Sequence, residues 1–279
     1  GIERLGATAL EEEDAETEPA PGDGTFPPDF YSTTSLDTEV RLDGRWVPVQ
    51  SPEMDCGILV SPDGTFASCV PINDVKKGDL IVTGHRGIKV LPVERPRTPS
   101  LAFTFMGSAI SPEKPKGIMV AEIAEKMRAL RKDGKNILVV AGPAVVHTGA
   151  GMHLAKIIEM GYVQGLFAGN ALAAHDIEWA LYGTSLGVSL DRGEPLEGGH
   201  QHHLRAINNI RLAGGMQEAV RKGVLTKGIM HTCIIKGVPF ILAGSLRDDG
   251  PLPEVITDAI KAQEAMRRFI HKGVDLCLM

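Results

Sequence analysis

Three segments of the chain combine glycines with side chains that could bind a phosphate or move a proton. Residues 142–151, 169–176 and 244–251 each follow an apolar run of strand type. In an open parallel sheet, ligands bind beyond the carboxyl ends of the strands, along one edge. The pattern therefore predicts that the three segments meet at one edge and form a site.

The first segment could hold the pyrophosphate of a nucleotide. Gly149 and Gly151 open a predicted helix, whose free amides and positive dipole end favour an anion. The common dinucleotide fingerprint would need glycine at position 154, which is Leu154, and the acidic ribose ligand after the second strand is replaced by Asn170. Asn170 could still bond a ribose hydroxyl. The alternative is that these glycines only permit tight turns between strands and helices.

The third segment carries the most suggestive polar cluster, Arg247-Asp248-Asp249-Gly250. Adjacent carboxylates could hold a substrate ammonium group or act as a general base. Arg247 or Arg205 could pair with a substrate carboxylate. The alternative is a solvated turn that caps the next helix.

Two histidines near these segments allow a functional and a structural interpretation. His147 could contact a cofactor or substrate, or it could be a structural or capping residue. His175 and Asp176 fall in the first turn of a predicted helix, where the dipole favours an aspartate with or without another role.

The run from Gly198 to His203 looks like a metal cluster, but its spacing does not complete one. His200 and His203 could share a helix face, whereas His202 would point elsewhere. No carboxylate or thiol completes a ligand set at a usual spacing. We therefore predict no metal, and a glycine-hinged loop that presents imidazoles to the site.

The elements that must position these residues begin with a region of short strands. Residues 25–98 show strand-type runs separated by turn signals such as Asp43-Gly44, a pattern typical of a small all-β barrel or sandwich. The predicted strands are 38–42, 45–49, 56–60, 65–70, 80–83 and 88–91.

From residue 117 onward, the hydrophobic period becomes helical and four apolar strands alternate with helices. This order predicts a mostly parallel sheet with helices on both faces, a three-layer αβα arrangement. The predicted strands are 136–141, 165–168, 238–243 and 274–279. The predicted helices between them are 149–160, 171–182, 202–213, 216–222, 226–236 and 254–270.

These patterns divide the chain into five predicted parts. They are 1–10, the tail of an earlier α/β unit; 11–24, an acidic, Pro/Gly-rich solvated linker; 25–98, the barrel-like domain; 99–116, a proline-rich linker; and 117–279, the αβα domain.

Composition excludes several classes of protein. The 279 residues carry a net charge of −6 and no Lys/Arg block, which gives no reason to expect nucleic acid or an anionic membrane as partner. No apolar run reaches the roughly 20 residues of a spanning helix. The four cysteines are scattered without a CxxC pair, which is typical of reduced thiols in a cytoplasmic protein.

Both ends of the chain indicate an internal fragment of a longer polypeptide. The chain starts with Gly1 and ends on the strand-type run 274–279. A buried parallel strand normally leads into a loop and a covering helix. A natural terminus is the alternative.

Seven segments together resemble one family, the archaeal and cyanobacterial ornithine cyclodeaminases that contain the LOR/SDH bifunctional enzyme conserved region. The resemblance covers nearly all of residues 20–279, in order. The segments are FPPDFYSTTSLDTEV (26–40), EMDCGILV (53–60), DVKKGDLIV (74–82), VVAGPAVVHTGA (139–150), AGNALAAHDIEWALYGTSLG (168–187), EGGHQHHLRAIN (197–208) and LAGSLRDDGPLPEVITD (242–258).

The resemblance implies a chain of three parts and a reaction. A small N-terminal α/β domain, of which only the tail is present, would precede the barrel-like domain and a Rossmann-like domain that binds NAD and is incomplete at its C-terminus. The implied reaction converts L-ornithine to L-proline and ammonia. Hydride would leave Cα for NAD⁺ and later return to a cyclic imine, so NAD stays bound. We also expect a cytoplasmic homo-oligomer, since such enzymes are usually symmetric assemblies.

Roles within this implied site are assigned from loop position and residue chemistry. Asp248, Asp249 and His202 are candidates for proton transfer, and Arg247 or Arg205 for the substrate carboxylate. The residues expected to hold NAD are Gly142, Pro143, His147, Thr148, Gly149, Ala150, Gly169, Asn170, Ala171, Asp176, Gly244 and Ser245.

Two other functions stay open. The same conserved region occurs in the bifunctional lysine-degrading enzyme of plants and animals, so one is an NAD-dependent oxidoreductase of lysine or saccharopine-like substrates. The other is a non-catalytic regulatory or assembly domain of a longer enzyme, which the fragment-like ends favour and the polar strand-end loops oppose. NADP in place of NAD also stays open, because the acidic residue after the second strand is missing.

Overall fold

The computed structural model describes most of the chain in several stretches. The predicted tail at 1–10 lies outside them, and so do residues 99–115 of the predicted linker. The described residues are 13–91, 116–185, 188–189, 201–246, 248 and 250–279.

The first region, residues 13–91, contains one seven-stranded sheet. Its strands are β1 (Glu16–Pro19), β2 (Thr38–Leu42), β3 (Arg45–Gln50), β4 (Gly57–Val60), β5 (Ala67–Val70), β6 (Leu80–Thr83) and β7 (Ile88–Val90). Their order across the sheet is β1-β6-β4-β5-β3-β2-β7. Neighbouring strands are antiparallel except β3 and β5, which are parallel.

The predicted Asp43-Gly44 turn joins β2 to β3 as a two-residue hairpin. Leu42 pairs with Arg45 across it. Asp43 and Gly44 have φ of 48° and 74°, so both central residues are left-handed. This is the requirement of a type I′ turn, whose twist matches that of the two strands.

The acidic segment 11–24 differs from the prediction of a solvated linker. Its residues 16–19 form β1 and pair with β6, and Ala20 is buried at 2% exposure. The charged side chains of β1 stay exposed. This edge strand is held by backbone hydrogen bonds and buries few apolar side chains. Its sequence therefore has the hydropathy of a linker.

The sheet curls into a half-barrel around apolar side chains. Ala15, just before β1, donates its amide to the carbonyl of Arg41 in β2 at 2.9 Å, so the β1 edge approaches the opposite side of the sheet. The most buried side chains inside include Phe26, Phe30, Val40, Ile58, Ile81 and Val82.

The second region, from residue 116 onward, alternates helices and strands. Its elements are α1 (Lys116–Lys132), β8 (Ile137–Ala141), α2 (Ala144–His147), α3 (Gly151–Glu159), β9 (Gly165–Gly169), α4 (Asn170–Tyr182), β10 (Thr184–Ser185), β11 (Val188–Ser189), α5 (His202–Ala213), α6 (Met216–Arg221), α7 (Ile229–Lys236), β12 (Phe240–Ala243), β13 (Val255–Ile256), α8 (Ala259–Ile270) and β14 (Leu276–Leu278).

Five of these strands form a parallel sheet in the order β13-β12-β9-β8-β14. Side chains of β8 and β9 share one buried cluster with side chains of α3, α4, α5 and α7. The predicted fold class is confirmed: an α/β chain with a barrel-like sheet followed by a Rossmann-like region with a parallel sheet.

Three helices begin later than predicted, and one of them, α7, starts at Ile229 in place of residue 226. A short helix, α2, forms within the first predicted loop, and α3 starts at Gly151 because Gly149 (φ 77°) is left-handed and interrupts the helix. Helix α8 starts at Ala259, where the Asp258 carboxylate accepts the amides of Ile260 and Lys261 at 2.9 Å each. This N-cap fixes the start, and the preceding residues extend the sheet as β13 instead.

Helix α5 joins the two regions. Its Leu204 packs in the core of the first region beside Phe26 and Phe30. Asn208, 1% exposed, accepts the amide of Phe26 at 2.9 Å and donates to the carbonyl of the same residue at 3.1 Å. A buried peptide group needs such partners, so this pair fixes where the first region sits on the second.

Among the described residues, no helix combines the length and the apolar character that crossing a membrane requires. All four cysteines are free thiols. Burial raises the pKa of Cys233 to about 12, so this thiol stays protonated and unreactive.

Asn208→Ala should lower the free energy of unfolding by about 2 to 4 kcal/mol, because it leaves two buried backbone groups of Phe26 without partners. Urea unfolding followed by circular dichroism measures the loss. Gln217→Ala, which removes an exposed amide from the neighbouring helix α6, is the control and should change the stability by less than about 0.5 kcal/mol. Equal losses in the two variants would contradict the assignment.

Candidate active site

The carboxyl ends of β8, β9 and β12 lie side by side. Ala141 pairs with Ala168, and Gly169 pairs with Ala243, so the three strands end at the same level. The next strand along the chain, β9, lies on one side of β8, and the last strand, β14, lies on the other side. Such a change of direction opens a crevice at the strand ends, and the segment after β8 borders it.

The segment after β8 offers an open backbone surface. A Cβ built on Gly142 or Gly149 would meet no heavy atom of the described residues within 4 Å. Thr148 turns its hydroxyl back to the carbonyl of Ala144 at 2.8 Å. Ala150 precedes α3 without a side-chain cap, so the first amides of α3 are not satisfied by a side chain. Open backbone beside a helix N-terminus fits the pyrophosphate of a dinucleotide.

Asn170 connects the second and third predicted loops. It is the first residue of α4, 6% exposed, and its side-chain oxygen accepts the amide of Leu252 at 3.0 Å. Gly169 precedes it and Ala171 follows it at the same strand end. The side-chain oxygen of Asn170 therefore holds the loop after β12 against the start of α4.

Asp248 stabilises the third loop through hydrogen bonds within the loop. Its carboxylate accepts the amide of Ser245 at 2.7 Å and the hydroxyl of Ser245 at 3.2 Å. Gly244 lies against β13, where a Cβ would come within 3.0 Å of Thr257 Cα. Asp248 thus closes a tight turn at the sheet edge. Arg247 and Asp249 lie outside the described residues.

Asp176 faces the interior and not the strand-end edge. The carboxylate is 1% exposed and accepts the amides of Ile229 and Met230, the first two residues of α7, at 2.8 Å each. Burial outweighs these two hydrogen bonds and raises the pKa of Asp176 to about 6. These contacts explain the residue as the N-terminal cap of α7.

Arg205 holds the two regions together. Its guanidinium donates to the carbonyls of Pro28 at 3.1 Å and Phe30 at 2.9 Å, and to the side-chain oxygen of Gln201 at 3.1 Å. It also lies over the Phe30 ring, 5.0 Å from the centroid. These donors therefore serve the contact between the regions.

Three imidazoles form a row beside the strand ends. The rings of His147 and His175 are 4.8 Å apart in an edge-to-face arrangement, and the rings of His175 and His203 are 6.2 Å apart. His147 Nδ1 lies 2.6 Å from Ser185 Oγ in β10. The row brings together α2, α4 and α5. The structure describes no residue of 190–200, so the predicted pairing of His200 with His203 lies outside it.

His202 points away from this row, as its spacing predicts. It stacks on Tyr182 with ring centroids 4.9 Å apart, and its Nδ1 is 2.8 Å from the hydroxyl of Thr184. The structure thus places His202 and His203 on different sides of α5, and only His203 joins the row.

Glu178 is a buried carboxylate that the sequence interpretation missed. One oxygen lies 2.8 Å from His175 Nδ1, and the other accepts the hydroxyl of Thr184 at 2.9 Å. Because Thr184 also contacts His202, Glu178 links two imidazoles. The available signal was its spacing, three residues after His175 on one helix face.

His147 is held as a neutral base. Burial lowers its pKa below the ordinary histidine value, the neighbouring His175 lowers it further, and the charge of Glu178 opposes this in part. A neutral imidazole at neutral pH can accept a proton. The arrangement therefore pairs a proton acceptor with an open backbone cradle.

Comparisons with known proteins agree with this architecture. Residues 37–120 match the family model described as "Arginine dihydrolase ArgZ-like, C-terminal, first region", and residues 121–279 match "Arginine dihydrolase ArgZ-like, C-terminal, Rossmann fold". The chain is 52% identical over its whole length to an ornithine cyclodeaminase of Methanopyrus kandleri and 53% identical over 99% to one of Methanocaldococcus jannaschii. It spans 67% and 66% of those two proteins.

A solved structure extends the comparison to a bound state. The crystal structure of AgrE in a ternary complex with ornithine and NAD⁺ superimposes with a TM-score of 0.84 at 40% identity, over 94% of this chain and 37% of that one. AgrE of Nostoc is a bifunctional arginine dihydrolase/ornithine cyclodeaminase.

Asp176→Asn should remove a pH dependence of stability. The pKa of Asp176 is about 6 in the folded protein against an ordinary 3.8, so between these values the folded protein holds a proton that the unfolded chain has lost. The stability of the wild type relative to the variant should fall by on the order of 3 kcal/mol as pH rises from about 4 to about 7. Urea unfolding across this range measures it.

Asp258→Asn is the matched control, because Asp258 also caps a helix but is exposed. Hydrogen bonds, above all the one from the Lys261 amide, lower the pKa of Asp258. Its contribution to the stability of the folded protein is therefore present above the ordinary pKa of aspartate and is lost as pH falls. The wild type should gain relative to this variant as pH rises. A pH dependence of stability with the same sign in both variants would show that burial does not set the pKa of Asp176.

Proposed function

The chain belongs to the family of archaeal and cyanobacterial ornithine cyclodeaminases with ArgZ-like C-terminal regions, and we propose that it forms the part of such an enzyme that converts L-ornithine to L-proline and ammonia with NAD. The observation that carries the proposal is the likeness, at 40% identity over 94% of this chain, to a structure described with ornithine and NAD⁺. The chain spans about two thirds of its archaeal relatives, so the reaction of the whole protein is the object of the proposal.

NAD fits the strand-end edge. We propose that the segment after β8 holds the pyrophosphate and that the β9 and β12 ends border the nucleosides. When bound, NAD supplies a reversible hydride acceptor and so allows a reaction without net oxidation. The residues assigned to this cradle are Gly142, Pro143, Thr148, Gly149, Ala150, Gly169, Asn170, Ala171, Gly244 and Ser245.

The substrate requires groups that take protons from its amines. His147 follows the cradle, and its lowered pKa keeps it neutral, so we assign it the proton of the α-amine. Ser185 orients this imidazole through Nδ1, which leaves Nε2 to act. Glu178 orients His175 in the same way.

Other predicted roles stay proposals of lower rank. Asp248, Asp249 and His202 remain candidates for proton transfer, and Arg247 remains a candidate for the substrate carboxylate. Arg205 and Asp176 have structural contacts that account for them.

We further infer a cytoplasmic enzyme that assembles as a homo-oligomer. Four free thiols suit a reducing compartment, and enzymes of this size are commonly symmetric assemblies.

The full-length protein, incubated with L-ornithine and NAD⁺, should release proline and ammonia in equal amounts without accumulating NADH. Chromatography of the products and absorbance of the reduced nicotinamide measure this. Bound nicotinamide without formation of proline would indicate lysine or a related amine as the substrate. The absence of both proline and bound nicotinamide would contradict the enzymatic proposal.

His147→Asn should lower kcat by about 100-fold or more, because an amide can keep the contact with Ser185 but cannot accept a proton. NAD binding should be retained. Since the pKa of His147 is lowered, the acidic limb of kcat/KM in the wild type should lie below the ordinary histidine range, and the variant should lack it.

His153→Asn, on the exposed face of α3, is the matched control and should keep wild-type kcat. An unchanged pH profile in His147→Asn would remove His147 from the mechanism.

A further inference from the structure

Asp55 occupies a tightly fixed turn before β4. Its φ of 64° is left-handed, a conformation that aspartate adopts more readily than most other non-glycine residues. Thr33 holds this turn: its carbonyl accepts the amide of Asp55 at 3.2 Å, and its hydroxyl accepts the amide of Cys56 at 3.0 Å. These two hydrogen bonds fix the turn that carries the Asp55 side chain.

The carboxylate of Asp55 is buried and only partly satisfied. The residue is 5% exposed, and Oδ2 lies 3.5 Å from His203 Nε2. Among the residues that the structure describes, Oδ1 has no hydrogen-bond partner. A buried carboxylate oxygen without a donor is costly, so a ligand that donates hydrogen bonds would be favoured there.

The turn faces the imidazole row from the side of the first region. Asp55 contacts His203, whose ring is 6.2 Å from that of His175, and His175 is 4.8 Å from His147 beside the strand-end cradle. A substrate bound beside His203 and His175 therefore has Asp55 at one end. A diamino acid can place a donor-rich cation at that end.

We propose that Asp55 binds the side-chain ammonium group of the substrate and thereby selects diamino acids over monoamino acids. The inference rests on the proposed function. It assigns substrate selection to the first region, whereas the cofactor cradle belongs to the second.

Asp55→Asn tests this assignment with little disturbance of the fold, because asparagine also tolerates the left-handed conformation. The full-length protein is saturated with NADH, which cannot accept a hydride, so ornithine is bound but not consumed. Calorimetry then compares L-ornithine with L-norvaline, which has the same carbon chain without the side-chain amine. Asp43→Asn is the matched control, since Asp43 is exposed at a distant turn and has a φ of 48°.

We expect Asp55→Asn to weaken ornithine binding by about 30-fold or more and norvaline binding by less than about 3-fold, because only ornithine loses an ionic partner. Asp43→Asn should leave both affinities unchanged. Equal losses for the two ligands, or unchanged ornithine binding, would overturn the role of Asp55. If the wild type binds NADH but not ornithine, the proposed function fails instead.

Discussion

Two hydrogen bonds between Asn208 and the peptide groups of Phe26 determine how the half-barrel meets the parallel sheet. The contact is buried, so water cannot replace it, and it lies on α5, the helix that also carries His203. The position of the Asp55 turn relative to the imidazole row therefore follows from this joint. A shift at Phe26 would move Asp55 away from His203, while both regions could keep their own cores.

The buried carboxylates near this joint differ in how they are satisfied, and the difference separates architecture from chemistry. Asp176 receives two amides and holds the start of α7. Glu178 meets a hydroxyl and an imidazole, and so fixes the orientation of other side chains. Asp55 keeps one oxygen without a protein donor among the described residues. Only the last arrangement leaves room for a substrate to complete it.

Hydrophobic period and turn chemistry predicted most of the fold. The strands β2 and β6 and the helix α5 have their predicted bounds, because each ends at an unambiguous turn or cap. The exposed edge strand β1 escaped prediction, since its stability comes from backbone pairing. The predicted start of α8 is wrong, because Asp258 caps the helix and the residues before it belong to β13 and its flanks.

The site was less predictable than the fold. Topology alone brings the three strand-end loops together, and the position of His147 beside them follows from its place after a strand. Asp55 and Glu178 could not be found in this way, because one depends on a left-handed turn and the other on the packing of α4 against β10. Residue type alone does not separate the two uses of Arg205, since a guanidinium suits peptide carbonyls, as it contacts them here, as well as carboxylates.

The joint between the regions is asymmetric, and this has an evolutionary consequence. Asn208 and Arg205 approach Phe26, Pro28 and Phe30 through the peptide groups of the segment opposite. Every amino acid supplies the carbonyl and every one except proline supplies the amide, but few side chains can replace an amide or a guanidinium. Descendants of this chain could therefore vary position 28 with little penalty, whereas drift at positions 205 and 208 would be restrained by selection.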